Sequence, residues 1–288
     1  MTQEESLTNS ELSPCRLYVY LAAEAPLAVV LRRGPTAWVR LSLWHTETDT
    51  FEHGQWFKGR VFPRRCDVSP DGALFAYFAH KVSDSNDLNT DSWVAISRPP
   101  YFTALAVWAI GGTYCAGGLF QDRHSLFLSG IREAPDQGEM SPELRFTSEI
   151  PHLDRTRDWT DRTVFFSRLL RDGWTPDPYT EHPRPNWVRI APDGRTKLIL
   201  LPVQNPSFER YGGYDAQEYA LQRGDELHPL GEATWADWDQ RGRLVMAQNG
   251  CLWEVDESTG DQRLIADFNG HTPDPQPAPD WAQQWPRR

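Results

Sequence analysis

Apolar residues along this chain come in runs of about four to eight, cut by clusters of Gly, Pro, Asp and Asn, and runs of that length predict β-strands. The clearest case is Cys66 to Ala79, CDVSPDGALFAYFA. Ser69-Pro70-Asp71-Gly72 has turn chemistry throughout: Pro70 presets φ, Asp71 tolerates the bridge conformation and Gly72 accepts φ > 0. Ala73 to Ala79 is then apolar at odd and even positions alike, as in a strand covered on both faces. Weaker copies recur. Ala191-Pro192-Asp193-Gly194 precedes Leu198 to Leu201, and Asp239-Gln240-Arg241-Gly242 precedes Leu244 to Ala247. Gln121 to His124 before Leu126-Phe127-Leu128 is looser, and Glu24-Ala25-Pro26 before Ala28 to Leu31 looser still.

With the turns at residues 25, 72, 124, 194 and 242, the spacings are 47, 52, 70 and 48. A four-stranded propeller blade takes about 40 to 50 residues, so the pattern predicts an all-β fold, a β-propeller of five four-stranded blades with one insertion. The blades are expected at about 15–60, 61–112, 113–180, 181–230 and 231–270, in one domain spanning 15–270. One strand is expected over Val61 to Val68. After a Pro- and charge-rich insertion at 131–161, another is expected over Thr163 to Leu169. Asp215 to Arg223 reads as a strand from Gln217 or as a short helix. Residues 1–14 are polar and acidic and are expected to be disordered. The Pro-rich tail 271–288 is expected to be extended, with Trp281 and Trp285 docking it or presenting it to a partner.

The last repeat, WADWDQRGRLVMAQNGCLWEVDESTGDQRLIADF, supplies a third strand at Leu252 to Asp256 and a fourth at Arg263 to Phe268. Its LWEVD strand, with the SPDG turn at residues 69–72, resembles the WD-repeat and TolB-like blade families, although the full WD-repeat His and Trp signature is absent. The segments RRGP, GQWFKGR and SRPPYFTALAVW are similar, over most of the chain, to uncharacterised soluble bacterial proteins of this propeller type. The resemblance implies a fold and no activity.

Composition narrows the function classes. Thirteen Trp and 12% aromatic residues suit large flat side chains between twisted sheets. A net charge of −11 disfavours general nucleic-acid or anionic-membrane binding. Cys15, Cys66, Cys115 and Cys251 lack CxxC or Cys/His spacing and read as buried free thiols. The N-terminus has no apolar leader, and the longest nearly apolar run, Thr103 to Gly112, is too short to span a bilayer, so a cytoplasmic location is expected. No cofactor and no metal is expected. The oxygen donors of Lys81 to Asp91 lack the EF-hand spacing and its terminal Glu, and read as an ordinary polar loop.

Loop length carries most of the functional information. In an up-and-down blade, the turns near 25, 72, 124, 194 and 242 share one face and are short. The long connections at 81–91, 131–161, 176–185 and 203–214 share the other. That concentration points to a binding face. It holds Arg32, Arg33, Lys58 and Arg60 with Trp56 available to stack, then Asp84 and Asp91, Arg155, Arg157 and Trp159, His182 and Arg184, and Arg210 and Tyr211. The leading expectation is a non-catalytic scaffold for a protein or peptide partner. A binder of a small ligand or polyanion on this basic patch is the alternative. The turn alignment also places Asp67, Arg189 and Asp237 at one inner-strand position, facing an axial channel. Their simplest role is ion pairing between blades; a hydrolase with channel carboxylates is the second alternative.

Overall fold

The structure, a computed structural model, describes residues 14–34, 36–82, 90–113, 117–128, 134–147, 162–178, 185–201 and 217–287. These residues form five sheets, mostly antiparallel, each built from one stretch of chain apart from a single edge strand. The first sheet is a meander of β1 (Arg16–Leu21), β2 (Leu27–Arg33), β3 (Trp38–His45) and β4 (Thr50–Lys58). The second starts with β5 (Arg60–Val61) and β6 (Asp67–Val68), both paired to β7 (Phe75–His80), and continues through β8 (Ser92–Ser97) and β9 (Ala104–Ile110). The strand expected over Val61 to Val68 is therefore broken. A 3-10 turn at Pro63–Arg65 interrupts it, because Pro63 has no N–H for the ladder.

The third sheet departs furthest from a regular meander. β10 (Gly118–Phe120) and β11 (Ser125–Leu128) pair antiparallel. The next strand, β12 (Gln137–Gly138), crosses to the β9 edge of the second sheet, and β13 (Arg145–Thr147) returns to lie parallel to β11. Where a further strand was expected over Thr163 to Leu169, the chain forms the helix α1 (Arg162–Arg171). A Schellman closure ends it: Gly173, at φ +87°, donates to the Leu170 carbonyl at 3.2 Å, and Trp174 donates to Leu169 at 2.9 Å. The fourth sheet is β14 (Thr175–Pro176), β15 (Trp187–Ile190), β16 (Thr196–Leu201), β17 (Gln217–Arg223) and β18 (Glu226–Ala233). Gln217 to Arg223 is thus strand. The fifth is β19 (Trp235–Trp238), β20 (Leu244–Gln248), β21 (Cys251–Val255) and β22 (Gln262–Asp267).

Strand alternation shows how the sheets stack. In β2, Val29 and Leu31 enter a core shared with the second sheet, while Ala28 and Val30 enter one shared with the fifth. In β7, Phe75 and Tyr77 face the first sheet, and Ala76 and Phe78 face the third. In β20, Leu244 and Met246 pack toward the fourth sheet, and Val245 and Ala247 toward the first. A strand sandwiched this way must be apolar on both faces, which is the pattern its sequence shows. Between the third and fourth sheets α1 takes the place of direct sheet packing. Val164 meets Leu119 and Phe127, while Leu169 joins the Trp187 and Leu198 core.

The first and last sheets share no strand and meet through side chains. Thr234 donates to the Leu17 carbonyl, and the buried Arg32 donates from Nε to the Phe268 carbonyl at 2.8 Å. Arg243 of the fifth sheet holds both carboxylate oxygens of Asp49 at 2.8 Å. The tail lies across the first three sheets: Gln55 donates to the Gln276 carbonyl, Arg98 to that of Trp281, and the Trp285 indole to that of Glu139. Its run is extended save for a 3-10 turn at Asp280–Gln283.

Candidate functional site

Strands of several sheets and α1 surround a cavity of about 430 Å³. β1 supplies Tyr18 to Leu21, β6 Asp67, β15 Arg189 and β19 Trp235 to Trp238; α1 brings Phe165 and Arg168. The lining is mainly apolar with a few charged groups, the usual composition of a small-molecule site. At one end lie Ala22, Ala23, Asp239 and Gln240, residues of the first hairpin turns of their sheets. Those turns cluster together. Glu24 N–H donates to the Pro70 carbonyl at 2.8 Å, Arg123 pairs with Glu24, and the Gln240 amide donates to the Ala22 and Leu27 carbonyls at 2.9 Å.

Asp67, Arg189 and Asp237 all line this cavity. They are not bonded as one set. Asp67 accepts two bonds from Arg171, Nη1 to Oδ2 at 2.5 Å and Nη2 to Oδ1 at 3.0 Å, and another from the Phe120 N–H at 2.8 Å. Burial pushes the Asp67 carboxyl up from its ordinary value, and this fork of guanidinium bonds works in the opposite direction. Burial alone would lower Arg171; Asp67 and Asp172 together more than reverse it. Asp237 pairs with Arg189 and accepts from the Trp174 indole at 3.1 Å and its neighbour's Trp238 N–H at 2.8 Å. Burial still pushes its carboxyl up to about 7.

The sequence did not point to α1, so Arg168 and Arg171 were missed. A signal for the helix existed in Gly173 and the Leu169-Leu170 pair, but the β-branched and aromatic residues before them read as strand. Arg64 lies in the 3-10 turn after β5. It is half-buried, and its guanidinium lies 5.0 Å from the centre of the Phe165 ring. Arg168 lies over the same ring at 5.7 Å and over Tyr20 at 4.8 Å.

The basic patch fares differently. Arg32 and Trp56 are each only 4% exposed, and the Arg32 and Arg40 guanidiniums both lie 5.2 Å from the Trp56 ring centre. Neither Arg32 nor Trp56 is a surface group. Arg33 is half-buried beside Tyr18, while the exposed Lys58 and Arg60 lie over the rings of Trp38 and Phe62. Asp91 is exposed, its carbonyl accepting from the Lys81 N–H at 2.8 Å. Asp84, Arg155, Arg157, Trp159, His182, Arg184, Arg210 and Tyr211 lie outside the described residues. Cys15, Cys66 and Cys251 are buried free thiols, raised by burial to about 11, 12 and 12. Among the described residues no His, Cys, Asp and Glu group is arranged to hold a metal ion, and no helix is long and apolar enough to cross a membrane.

No protein-family model and no curated protein matches the sequence. Among solved structures, the chain is similar to an uncharacterized protein from Listeria monocytogenes at 9% identity and TM-score 0.31, covering 91% of this chain and 85% of that one. It is similar to the β-propeller domain of the trilobed protease from Pyrococcus furiosus at 12% identity and TM-score 0.26, covering 88% and 84%. Against a prolyl endopeptidase the values are 12% and 0.28, and the chain spans 37% of that protein's length. These likenesses are loose.

Proposed function

We propose that the five sheets are the blades of a five-bladed β-propeller and that the protein binds a small molecule in its axial cavity. The observation that supports this is the cavity of about 430 Å³ among the inner strands, mainly apolar and fitted with a few fixed charges. The ring is supported by the cores, since each sheet shares one with the next through α1 and the fifth shares one with the first. Hydrolysis by paired carboxylates is less well supported. Among the described lining residues every carboxylate is already held in an ion pair: Asp67 and Asp172 by Arg171, Asp237 by Arg189 and Asp239 by Arg243. A scaffold role through the long connections rests on segments mostly outside the described residues.

The test is a thermal-shift screen of small metabolites against wild type and Ala23→Trp, which places an indole at the exposed end of the cavity lining. A ligand at a hundredfold excess over its Kd adds about 2.7 kcal/mol, enough to raise Tm by several degrees. Compounds that stabilise wild type and not Ala23→Trp are the expected result. Equal stabilisation of both proteins, or no stabilising compound at all, refutes the reading.

A further inference from the structure

Four guanidiniums line the cavity, and its carboxylates account for only two of them. Arg171 takes Asp67 and Asp172, and Arg189 takes Asp237. The remaining lining carboxylate, Asp239, is paired with Arg243 behind it. Arg64 and Arg168 have no carboxylate within ion-pair distance among the described residues. They are held instead by aromatic faces, Arg64 on Phe165 and Arg168 between Phe165 and Tyr20, with one Arg168 N–H on the Cys66 carbonyl. Stacking fixes a guanidinium while leaving its in-plane donors free, which is how arginine is presented to a planar or tetrahedral anion.

The two guanidiniums also act on the same place. Tyr219 is a buried phenol lining the cavity; burial is the largest effect on it and disfavours its ionised form, as does Asp237, while Arg64 and Arg168 both favour that form. An anion there would be desolvated, where guanidinium bonds are stronger than at the surface. The lining carries as many carboxylates as guanidiniums, so the positive character at Arg64 and Arg168 is local: it arises because Arg171 takes two of the carboxylates and Arg243 takes Asp239.

We infer that the cavity ligand is a small organic anion, with its carboxylate or phosphate held between Arg64 and Arg168 and an apolar body along the rest of the lining. This rests on the cavity being the binding site. Four probes of similar size separate the two claims: phenyl phosphate, phenylacetate, phenethylamine and benzyl alcohol, titrated by calorimetry or ligand-observed NMR at low salt. Wild type should bind one or both anions, the ratio of the two distinguishing phosphate from carboxylate, and should bind phenethylamine at least tenfold more weakly. Arg64→Gln and Arg168→Gln should each weaken the anion at least tenfold, Arg64→Lys less, and the exposed turn variant Arg195→Gln not at all. Circular dichroism and Tm without probe check that the variants fold; Arg64, bonded to no carboxylate, is the position where folding is least at stake.

Anion binding retained in the Arg64→Gln/Arg168→Gln double variant overturns the inference. So does phenethylamine or benzyl alcohol binding as well as the anions; if Ala23→Trp blocks that binding, the cavity remains the site and only the anion is wrong. Failure of all four probes, together with an empty metabolite screen, overturns both.

Discussion

At Gly117 the backbone stands at φ +93°, and a Cβ there would lie 2.2 Å from the carbonyl oxygen of Arg65. At Gly72 φ is +75°, and the nearest obstacle is Leu27 Cδ1 at 2.9 Å, the end of a flexible side chain. Gly72→Val is expected to cost roughly 1–3 kcal/mol through strain. Gly117→Val should cost more, because a backbone carbonyl cannot rotate aside. Urea unfolding of the two variants checks the order, and a smaller loss at Gly117 contradicts it. The sequence pointed to Gly72 alone, since Ser69, Pro70 and Asp71 announce the turn, whereas the demand on Gly117 comes from Arg65, far away in the chain. Arg32 and Trp56 misled for the same reason. Their composition is that of a surface patch, but Arg32 bonds the Phe268 carbonyl across to the end of the last sheet and both side chains are buried.

Elements that repeat were legible, and elements that break the repeat were not. The turns at Gly72, Gly194 and Gly242 have φ of +75°, +72° and +75°, and each glycine N–H bonds the carbonyl three residues earlier at 2.8–2.9 Å. Inner-strand positions could therefore be aligned, and Asp67, Arg189 and Asp237 all line one cavity. Nothing comparable marks α1, whose Val164, Phe165 and Phe166 favour a strand until packing against two different sheets decides for helix. The tail was legible as extended but not in its landing place. Trp285 packs on the core of the second and third sheets, and Trp281 meets Tyr101 edge-on at 5.5 Å between centroids. Removing residues 271–288 should cost roughly 1–3 kcal/mol through exposed apolar surface and lost hydrogen bonds. An unchanged melting temperature would show that the tail is only lying there.

For the molecule as a whole, the buried Asp237 and the half-exposed His271 pull stability in opposite directions with pH. The Asp237 carboxyl is raised by burial from 3.8 to about 7, so between those values the folded state holds a proton that the unfolded chain releases. Its contribution is full at the acid end and is lost as pH rises toward 7, at no more than about 1.4 kcal/mol per pH unit. His271, where the tail leaves the last sheet, is lowered from 6.5 to about 4 by burial first and then by His53, Arg40 and Arg32, with Asp267 opposing. Its contribution is full above 6.5 and is lost as pH falls toward 4, by a smaller amount because the ring is half-exposed and screened. His53, in edge contact with it at 4.5 Å, is lowered too and acts in the same sense. Wild type should therefore show a shallow pH dependence between about 4.5 and 6.5. Asp237→Asn should unmask a rise in stability with pH, and His271→Gln should unmask a fall. Urea unfolding at pH 4.5, 5.5 and 6.5 gives both slopes. Slopes of the same sign in the two variants would mean that these groups do not govern the acid response of the protein.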